Sequence, residues 1–162
     1  MDITTSLVAE EIAEEVCAWG EGYSGGLTVT SVLTKEPLLY SSVVVSNPLV
    51  DVIEYLLDKR DTQEFGSFTN NFDTIKTYSP YQHPHKGDIS QLLVSTDTES
   101  PIATQALKYV AKLRSSCKSS TNMILYKEYP TWVQKELRRA DELAFIVGSV
   151  RDRLRDSNYK SS

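Results

Sequence analysis

The stretch ISQLLVSTDTESPIATQALKYVAKLRSSCKSSTNMILYK, residues 89–127, decides the fold because two apolar runs flank one helical pattern. Ile89 to Thr96 and Asn122 to Lys127 are predicted strands, since each is short, apolar and bounded by polar residues. Between them, Ser100-Pro101 is typical of a helix start, and apolar residues recur there at helical spacing: Ala103, Ala106, Leu107, Val110, Leu113 and Cys117. A strand, a helix and a strand joined by short links predict a right-handed crossover with parallel strands.

C-terminal to this unit, a final helix is predicted from the capping pattern Thr131 to Gln134 as far as Asp156. A Thr hydroxyl and a Gln three residues later can each satisfy a backbone N–H of the other residue. The stripe expected to face the core comprises Val133, Leu137, Ala140, Ala144, Val147 and Leu154, so Val147 is predicted to be fully buried. The segment Leu143 to Val150 is apolar nearly all round, which predicts either a central core helix or an oligomer contact.

N-terminal to the unit, the pattern predicts two further helices and a hairpin. A helix is expected from Ile3 to Trp19, because apolar residues recur there every three or four positions. Leu27 to Thr34 and Leu38 to Ser46 are rich in Val, Thr and Leu and flank a Pro-containing turn, which predicts a β-hairpin. Asn47 and Pro48 are then typical of an N-cap and first residue of the next helix.

Residues 61–88 show little periodicity and are predicted to form an irregular, aromatic-rich segment, with a short strand or turn near Thr74 to Tyr78. The expected fold is therefore an α+β or α/β arrangement in one compact domain over residues 1–162. It would contain four helices and a small mixed sheet that includes one hairpin and one βαβ crossover. A frayed tail is expected after residue 156.

The composition is that of an ordinary globular domain. The 162 residues are 40% hydrophobic and 24% charged, with a net charge of −5, which argues against disorder, collagen or a coiled-coil rod. Two cysteines cannot supply a disulfide framework or a four-thiolate zinc site. There is no basic leader and no apolar run near the roughly 20 residues that a membrane span requires. We therefore expect a cytoplasmic or other reducing intracellular location, with no membrane association.

Residues Gly20 to Gly25 match Gly-x-Gly-x-x-Gly, the dinucleotide-binding pattern. That chemistry requires a strand before the glycines and a helix after them, so that the helix N-terminus faces the pyrophosphate. The predicted order is the reverse, a helix before and a strand after. The carboxyl end of a helix carries partial negative charge and would repel phosphate. The pattern therefore favours a flexible connection, and no cofactor is expected.

Residues Gly22 to Gly26 also match Gly-x-Ser-x-Gly, the nucleophile elbow of α/β-hydrolases. Ser24 would be followed by an aspartate and then by His83 or His85, which is the order of that catalytic triad. The candidate aspartates are Asp58, Asp61 and Asp73. An elbow requires a strand-to-helix turn, whereas Ser24 falls on a predicted helix-to-strand link. A small hydrolase using Ser24 and the His83 and His85 region is thus kept as the alternative function.

His83, His85 and Asp88 form the one cluster of imidazoles and carboxylate in the sequence. Imidazole and carboxylate suit zinc or iron. However, side chains two residues apart in irregular chain usually diverge, and the sequence contains no further histidine. No metal site is therefore predicted.

Charge is distributed unevenly along the chain, with a net of −9 in residues 1–64 and +6 in residues 101–162. Such asymmetry is typical of interacting proteins. Three interpretations compete: solvated surfaces within one domain, an acidic face that meets the basic face of a second copy, or nucleic-acid binding by the C-terminal bases. The second ranks above the third, because acidic residues interrupt the basic helices. The predicted interface comprises Lys108, Lys112, Arg138, Arg139, Leu143, Ile146 and Val150.

These observations favour a non-catalytic subunit that acts through protein–protein contacts in a homo-oligomeric assembly. Its size, polar composition and bipolar charge would fit a viral or phage structural protein. The hydrolase is the alternative, and a nucleic-acid-binding module is the third possibility.

Overall fold

The computed structural model describes residues 3–59, 61–117 and 123–160. In chain order the elements are α1 (Ile3–Ala9), β1 (Cys17–Glu21), α2 (Gly22–Lys35), β2 (Ser42–Ser46), α3 (Val52–Lys59), β3 (Asp61–Thr62), β4 (Gly66–Ser67), α4 (Phe68–Tyr78), a 3₁₀ turn (Pro80–Gln82), β5 (Gln91–Asp97), α5 (Ala103–Ser116), β6 (Ile124–Tyr129) and α6 (Lys135–Lys160). The described residues thus contain six α-helices.

Four strands form one sheet in the order β1-β2-β5-β6, and every pair in it is parallel. The order β5-α5-β6 and the parallel pairing of β5 with β6 confirm the strand, helix and parallel strand predicted from residues 89–127, although Asn122 lies outside the described residues. The prediction of a mixed sheet was wrong, because all pairs in this four-stranded sheet are parallel. The prediction of four helices was also wrong, because the described residues contain six. The fold is α/β, because strands alternate with helices around a parallel sheet.

One face of the sheet packs on α2 and α5. Alternate residues of a strand point to opposite faces, and Val43, Val45, Leu92 and Val94 join Tyr109 and other α5 residues in one buried cluster. The other face of β2 and β5 contacts α6. The sheet is therefore covered by helices on both faces.

The predicted N-terminal helix and hairpin were wrong. The helix ends at Ala9, and Cys17–Glu21 is a strand. Leu27 to Thr34 lies within α2 although it is rich in β-branched residues. The threonine hydroxyls donate to carbonyls one turn earlier, Thr30 to Gly26 and Thr34 to Thr30, so these side chains are satisfied within a helix.

The region predicted to be irregular contains α4. Ile75 on this helix packs with Leu49, Val52 and Leu56 in a second buried cluster, where partly buried aromatic residues surround it. The predicted helix start at Asn47 was also wrong, because α3 begins at Val52. The side chain of Asp51 accepts from the backbone N–H of Glu54, at 3.0 Å, and caps that helix.

The last helix packs with the opposite face from the one predicted. Glu142, Arg138 and Ser149 are buried, with exposed fractions of 1%, 8% and 3%, whereas Val147 is 65% exposed. The reason is that strands β2 and β5 present serine hydroxyls to α6, so a polar stripe finds hydrogen-bond partners there. None of the described helices combines the length and apolar character needed to cross a bilayer.

Candidate active site

A sharp strand-to-helix turn joins β1 to α2. Gly22, the first residue of α2, has a φ of +74°, a conformation that favours glycine. A Cβ on Gly20 would lie 2.4 Å from the carbonyl oxygen of Gly25, and one on Gly26 would lie 2.5 Å from Pro48 Cα. The glycines therefore allow close backbone packing at a turn with the geometry of a nucleophile elbow. The helix-to-strand link predicted here was wrong.

The residue at the turn is not Ser24. Gly22 has the positive φ, and Ser24 lies two residues later, in the first turn of α2, exposed to solvent. The Ser24 hydroxyl donates to a carboxylate oxygen of Glu64 at 3.1 Å. The match to Gly-x-Ser-x-Gly thus identified an elbow but placed its apex two residues too far along.

The two histidines lie far from this turn. His83 and His85 line a cavity with Thr34 near the end of α2, and Nε2 of His83 is 2.8 Å from the carbonyl oxygen of Lys76. Ten residues of helix separate Ser24 from Thr34, or about 15 Å along α2. Ser24 and these imidazoles therefore do not form the catalytic group considered in the sequence.

The candidate aspartates do not form a catalytic group with Ser24 or the histidines either. Asp73 is an exposed residue of α4, and the side chains of Asp58 and Asp61 lie outside the described residues. Across residues 3–59, 61–117 and 123–160, no three His, Cys, Asp or Glu side chains are placed to hold a metal ion.

The carboxyl ends of the four parallel strands meet beside the elbow, where α/β proteins bind their ligands. Glu21, Asn47, Asp97 and Tyr129 stand at these ends and line a cavity of about 360 Å³. Its other walls are Thr131, Val133, Lys135 and Arg138. This edge is therefore the candidate site.

Arg138 connects the charges of this cavity to the interior. Its guanidinium lies 2.6 Å from Asp97 and 3.9 Å from Glu21, and its Nε lies 3.6 Å from Glu142. The Glu142 carboxylate accepts from the hydroxyls of Ser46 and Ser95, the latter at 2.6 Å. Buried charges persist when they are paired and hydrogen-bonded in this way, so the network fixes α6 against the sheet.

Two further contacts hold the strand ends. Lys135 donates to Glu21 at 3.0 Å, and this contact is the main reason that the pKa of Glu21 lies below its usual value. Asn47, with a φ of +48°, donates from Nδ2 to the Asp97 carboxylate and accepts from the Asp97 backbone N–H. Asn47 is thus a bridge between β2 and β5 rather than a helix cap.

A second cavity, of about 230 Å³, adjoins the other side of the elbow. Tyr23 and Tyr55 meet edge to face there, with ring centroids 5.7 Å apart, and Ile102 and Glu54 also line the cavity. Buried Gln105 supports one wall by accepting from the backbone N–H groups of Val50 and Asp51. This cavity has the aromatic walls that bind apolar groups.

The predicted interface residues fall into two groups. The bases contact their own chain: Lys108 pairs with Glu54, Lys112 donates to the Tyr81 carbonyl, Arg138 is buried, and Arg139 pairs with Glu21 and lies over the Trp19 ring. Among the apolar residues, Leu143 is 51% exposed, whereas Ile146 and Val150 are half-buried. Self-association through these residues stays a prediction.

The loops after β5 and β6 carry an acid but no imidazole. In α/β-hydrolases the acid and the histidine follow the nucleophile in that order. Asp97 and Glu99 lie at the end of β5, while Pro130, Thr131 and Trp132 follow β6. The chain contains two histidines, and both lie at the distant cavity.

Comparison with known proteins supports this assignment of the fold. The chain matches the family model described as the prolyl oligopeptidase family over residues 1–152. Protease 2 of Moraxella lacunata is 28% identical over 116 residues, which is 65% of this chain and 17% of that protein.

Solved structures give the same result. Oligopeptidase B from Leishmania major aligns with a TM-score of 0.72 and 20% identity over 90% of this chain and 22% of its own. Prolyl oligopeptidase B from Galerina marginata aligns with a TM-score of 0.77 and 18% identity over the same shares, and it has also been solved with a 25mer macrocyclization substrate. The chain thus spans less than a quarter of the proteins it resembles.

These matches contradict the predicted role as a non-catalytic structural subunit of a viral or phage assembly. They point to a peptidase family and therefore support the hydrolase-type alternative, although not the residues proposed for it. The short apolar run Cys17-Ala18-Trp19 before the glycines was the sequence feature that could have revealed the elbow.

Proposed function

Because the chain belongs to the prolyl oligopeptidase family, we propose that it forms part of the α/β-hydrolase domain of a larger protein and that this domain binds peptides. The observation that carries the proposal is the elbow between β1 and α2, which opens on a cavity on either side. Glu21 lines one cavity and Tyr23 lines the other. Gly22 lies between them at the turn.

An extended peptide can cross the elbow with different groups in the two cavities. The aromatic cavity suits an apolar or prolyl side chain, since Tyr23 and Tyr55 offer ring faces and edges. The charged cavity offers Lys135 and Glu21 to the polar groups of the peptide. The backbone N–H groups at the start of α2 add donors for a peptide carbonyl.

The chemistry at the elbow differs from that of a serine peptidase. Acyl transfer requires a hydroxyl at the turn and an imidazole that removes its proton. Gly22 supplies no hydroxyl, and His83 and His85 lie at the far end of α2. We therefore propose that the described residues hold a peptide without forming a covalent intermediate at the elbow.

Binding is tested with a fluorescent blocked tetrapeptide that contains an internal proline. We expect Tyr23→Ala to weaken binding by about tenfold, because the contact of a prolyl ring with an aromatic side chain in a desolvated pocket contributes about 1 kcal/mol or more. His83→Ala is the matched control, since it changes the distant cavity, and it should leave affinity unchanged. Equal affinities of the wild-type and Tyr23→Ala chains would refute the proposed site.

Chemistry is tested separately with a fluorophosphonate, whose phosphorus bonds to an activated serine Oγ as fluoride leaves. We expect no labelling of the wild-type chain. Labelling that disappears in Ser24→Ala would overturn the non-covalent proposal, because it would show that the Ser24 Oγ is an activated nucleophile.

A further inference from the structure

Arg138 is an enclosed cation whose hydrogen-bonding capacity is largely unused. It is 8% exposed and lines the charged cavity at the strand ends. A guanidinium has five N–H donors, but among the described residues it donates one hydrogen bond, from Nη1 to Asp97 at 2.6 Å. Nη2 is 3.9 Å from Glu21 and Nε is 3.6 Å from Glu142, distances too long for a hydrogen bond. Enclosed donors of this kind favour a ligand that brings an acceptor.

The neighbouring carboxylates are already bound by other groups. Glu21 accepts from Lys135 at 3.0 Å and from Arg139 at 2.8 Å. Asp97 accepts from Asn47 at 2.8 Å as well as from the enclosed guanidinium. The third acid, on α6, is held by two serine hydroxyls of the sheet. The unused guanidinium donors are therefore available to a ligand without the loss of an existing ion pair.

These donors can be reached from the cavity. Among the described residues, the side-chain atoms that are both fully enclosed and without a partner belong to Gln91 and Ser149. Those of Arg138 therefore keep some access to the cavity that this residue lines. Lys135 also lines the cavity, and its side chain is 61% exposed and donates to Glu21. An ammonium has three donors, so the two bases together offer several N–H groups to one ligand group.

From the enclosure of Arg138, its unused donors and the adjacent Lys135, we propose that the charged cavity binds the C-terminal carboxylate of a peptide. Both oxygens of a carboxylate accept hydrogen bonds, and charge-assisted bonds of this kind are stronger than bonds to a neutral carbonyl. The inference rests on the proposed peptide-binding function, and it adds which end of the peptide the cavity recognises.

The charges around the cavity set the size of the expected effect. Three acids and three bases meet there, and they are Glu21, Asp97, Glu142, Lys135, Arg138 and Arg139. Their formal charges cancel, so a carboxylate enters a neutral cluster and gains little from long-range attraction. Its gain comes from short hydrogen bonds to the unused donors, and we therefore expect a preference of about tenfold over a neutral group.

The position of the elbow between the two cavities limits the length of the ligand. Glu21 and Tyr23 line different cavities, and residues two positions apart have Cα atoms at most about 7 Å apart. A peptide that places proline in the aromatic cavity and its terminal carboxylate in the charged cavity therefore needs few residues between them. We expect proline as the second-last residue.

The test measures the affinity of the 162-residue chain for three fluorescent peptides with a blocked N-terminus and proline as the second-last residue. One ends in a free carboxylate, the second ends in an amide, and the third ends in an amide but has glutamate as its last residue. Fluorescence anisotropy should show that the acid binds about tenfold more tightly than either amide.

The other outcomes separate the two proposals. Equal affinities of the acid and the plain amide would overturn the inference and leave the peptide-binding function standing. A glutamate amide that binds as tightly as the acid would overturn the assignment to the peptide terminus. No binding of any peptide at about 1 mM would overturn both proposals.

Variants of the two bases locate the effect. Lys135→Met removes the ammonium but keeps the length of the side chain, and it should reduce the ratio of acid to amide affinity severalfold. Arg138→Lys keeps the charge beside Asp97 but removes the forked guanidinium, and it should also reduce the ratio, with circular dichroism to verify the fold. Lys86→Met is the matched control, since Lys86 is exposed at the distant histidine cavity. A ratio that Lys135→Met leaves unchanged, or that Lys86→Met lowers equally, would overturn the inference.

Discussion

The two faces of the sheet are held by different interactions. Towards α2 and α5, strands β2 and β5 present valine and leucine to Tyr109, Val110 and Leu113. Towards α6, the same strands present Ser46 and Ser95 to a buried carboxylate, with Val44 and Leu93 beside them. The apolar face gains stability from area removed from water, whereas the polar face depends on each group having its partner.

This contrast explains why the same sequence pattern succeeded on one side and failed on the other. Apolar periodicity identifies a helix face that packs on an apolar surface, as in α5. On α6 the apolar pattern identified the exposed face, because the buried face is polar and bonds to serines of the sheet. These serine partners of Glu142 lie 47 and 96 residues away in the chain, so no local pattern reveals them. We expect four substitutions to distinguish the apolar face from the polar face by their effects on stability.

Tyr109→Ala should have the largest effect. The Tyr109 side chain is 1% exposed in the apolar cluster, and truncating a buried aromatic residue costs about 3–5 kcal/mol. Urea denaturation should show the loss as a lower midpoint with a similar slope. A loss under about 1 kcal/mol would mean that the apolar face does not dominate stability.

Glu142→Gln should be the next most disruptive change. The amide keeps the size of the side chain but removes the charge that Arg138 and two serine hydroxyls share, so we expect a loss of about 1.5–3 kcal/mol. Urea denaturation at neutral pH measures it. Glu142→Gln together with Arg138→Met tests the partnership, and a double variant that loses the full sum of the single losses would contradict coupling.

Asp141→Asn should have a small effect that depends on pH. Its hydrogen bond from Lys127, with a second from Tyr129, lowers the pKa of Asp141 below 3.8. A depressed folded-state pKa contributes stability above the unfolded value, and this is lost as pH falls through the folded value. The pair is half-exposed, so we expect about 0.5 kcal/mol or less near neutral pH, and a difference between variant and wild type that shrinks as the pH falls below 3.8.

Val147→Asp should have the smallest effect on stability. The sequence pattern predicted a buried side chain and therefore an unfolded variant, but the residue is 65% exposed. An exposed substitution of this kind changes stability by about 0.5 kcal/mol or less. A variant that unfolds would show that Val147 is buried in the folded chain and that α6 packs as the sequence pattern predicted.

The fold was partly predictable. Residues 89–127 gave strand, helix and strand correctly because their periodicity agrees with their packing. The elements of residues 17–35 were predicted incorrectly. When only the local pattern is considered, a five-residue strand followed by a threonine-rich helix resembles a helix followed by a strand. Tertiary contacts override such preferences.

The site was less predictable than the fold. The glycine motif was visible in the sequence, but its direction depended on the elements on either side, and these were inverted. The polar groups at the strand ends, Glu21, Asn47 and Asp97, meet only because parallel strands finish at one edge. No local pattern indicates that Arg138 will join them there.

Gln105 has a consequence for the order in which the molecule folds. Its buried amide bonds to backbone N–H groups of Val50 and Asp51 and to the carbonyl of Asp51, residues more than 50 positions away. In the segment after β2, a glutamine side chain accepts the backbone hydrogen bonds that a neighbouring strand would accept within the sheet. These amides become protected from hydrogen exchange only once α5 has docked, and they should exchange together with α5 rather than with the helix that follows them in the chain.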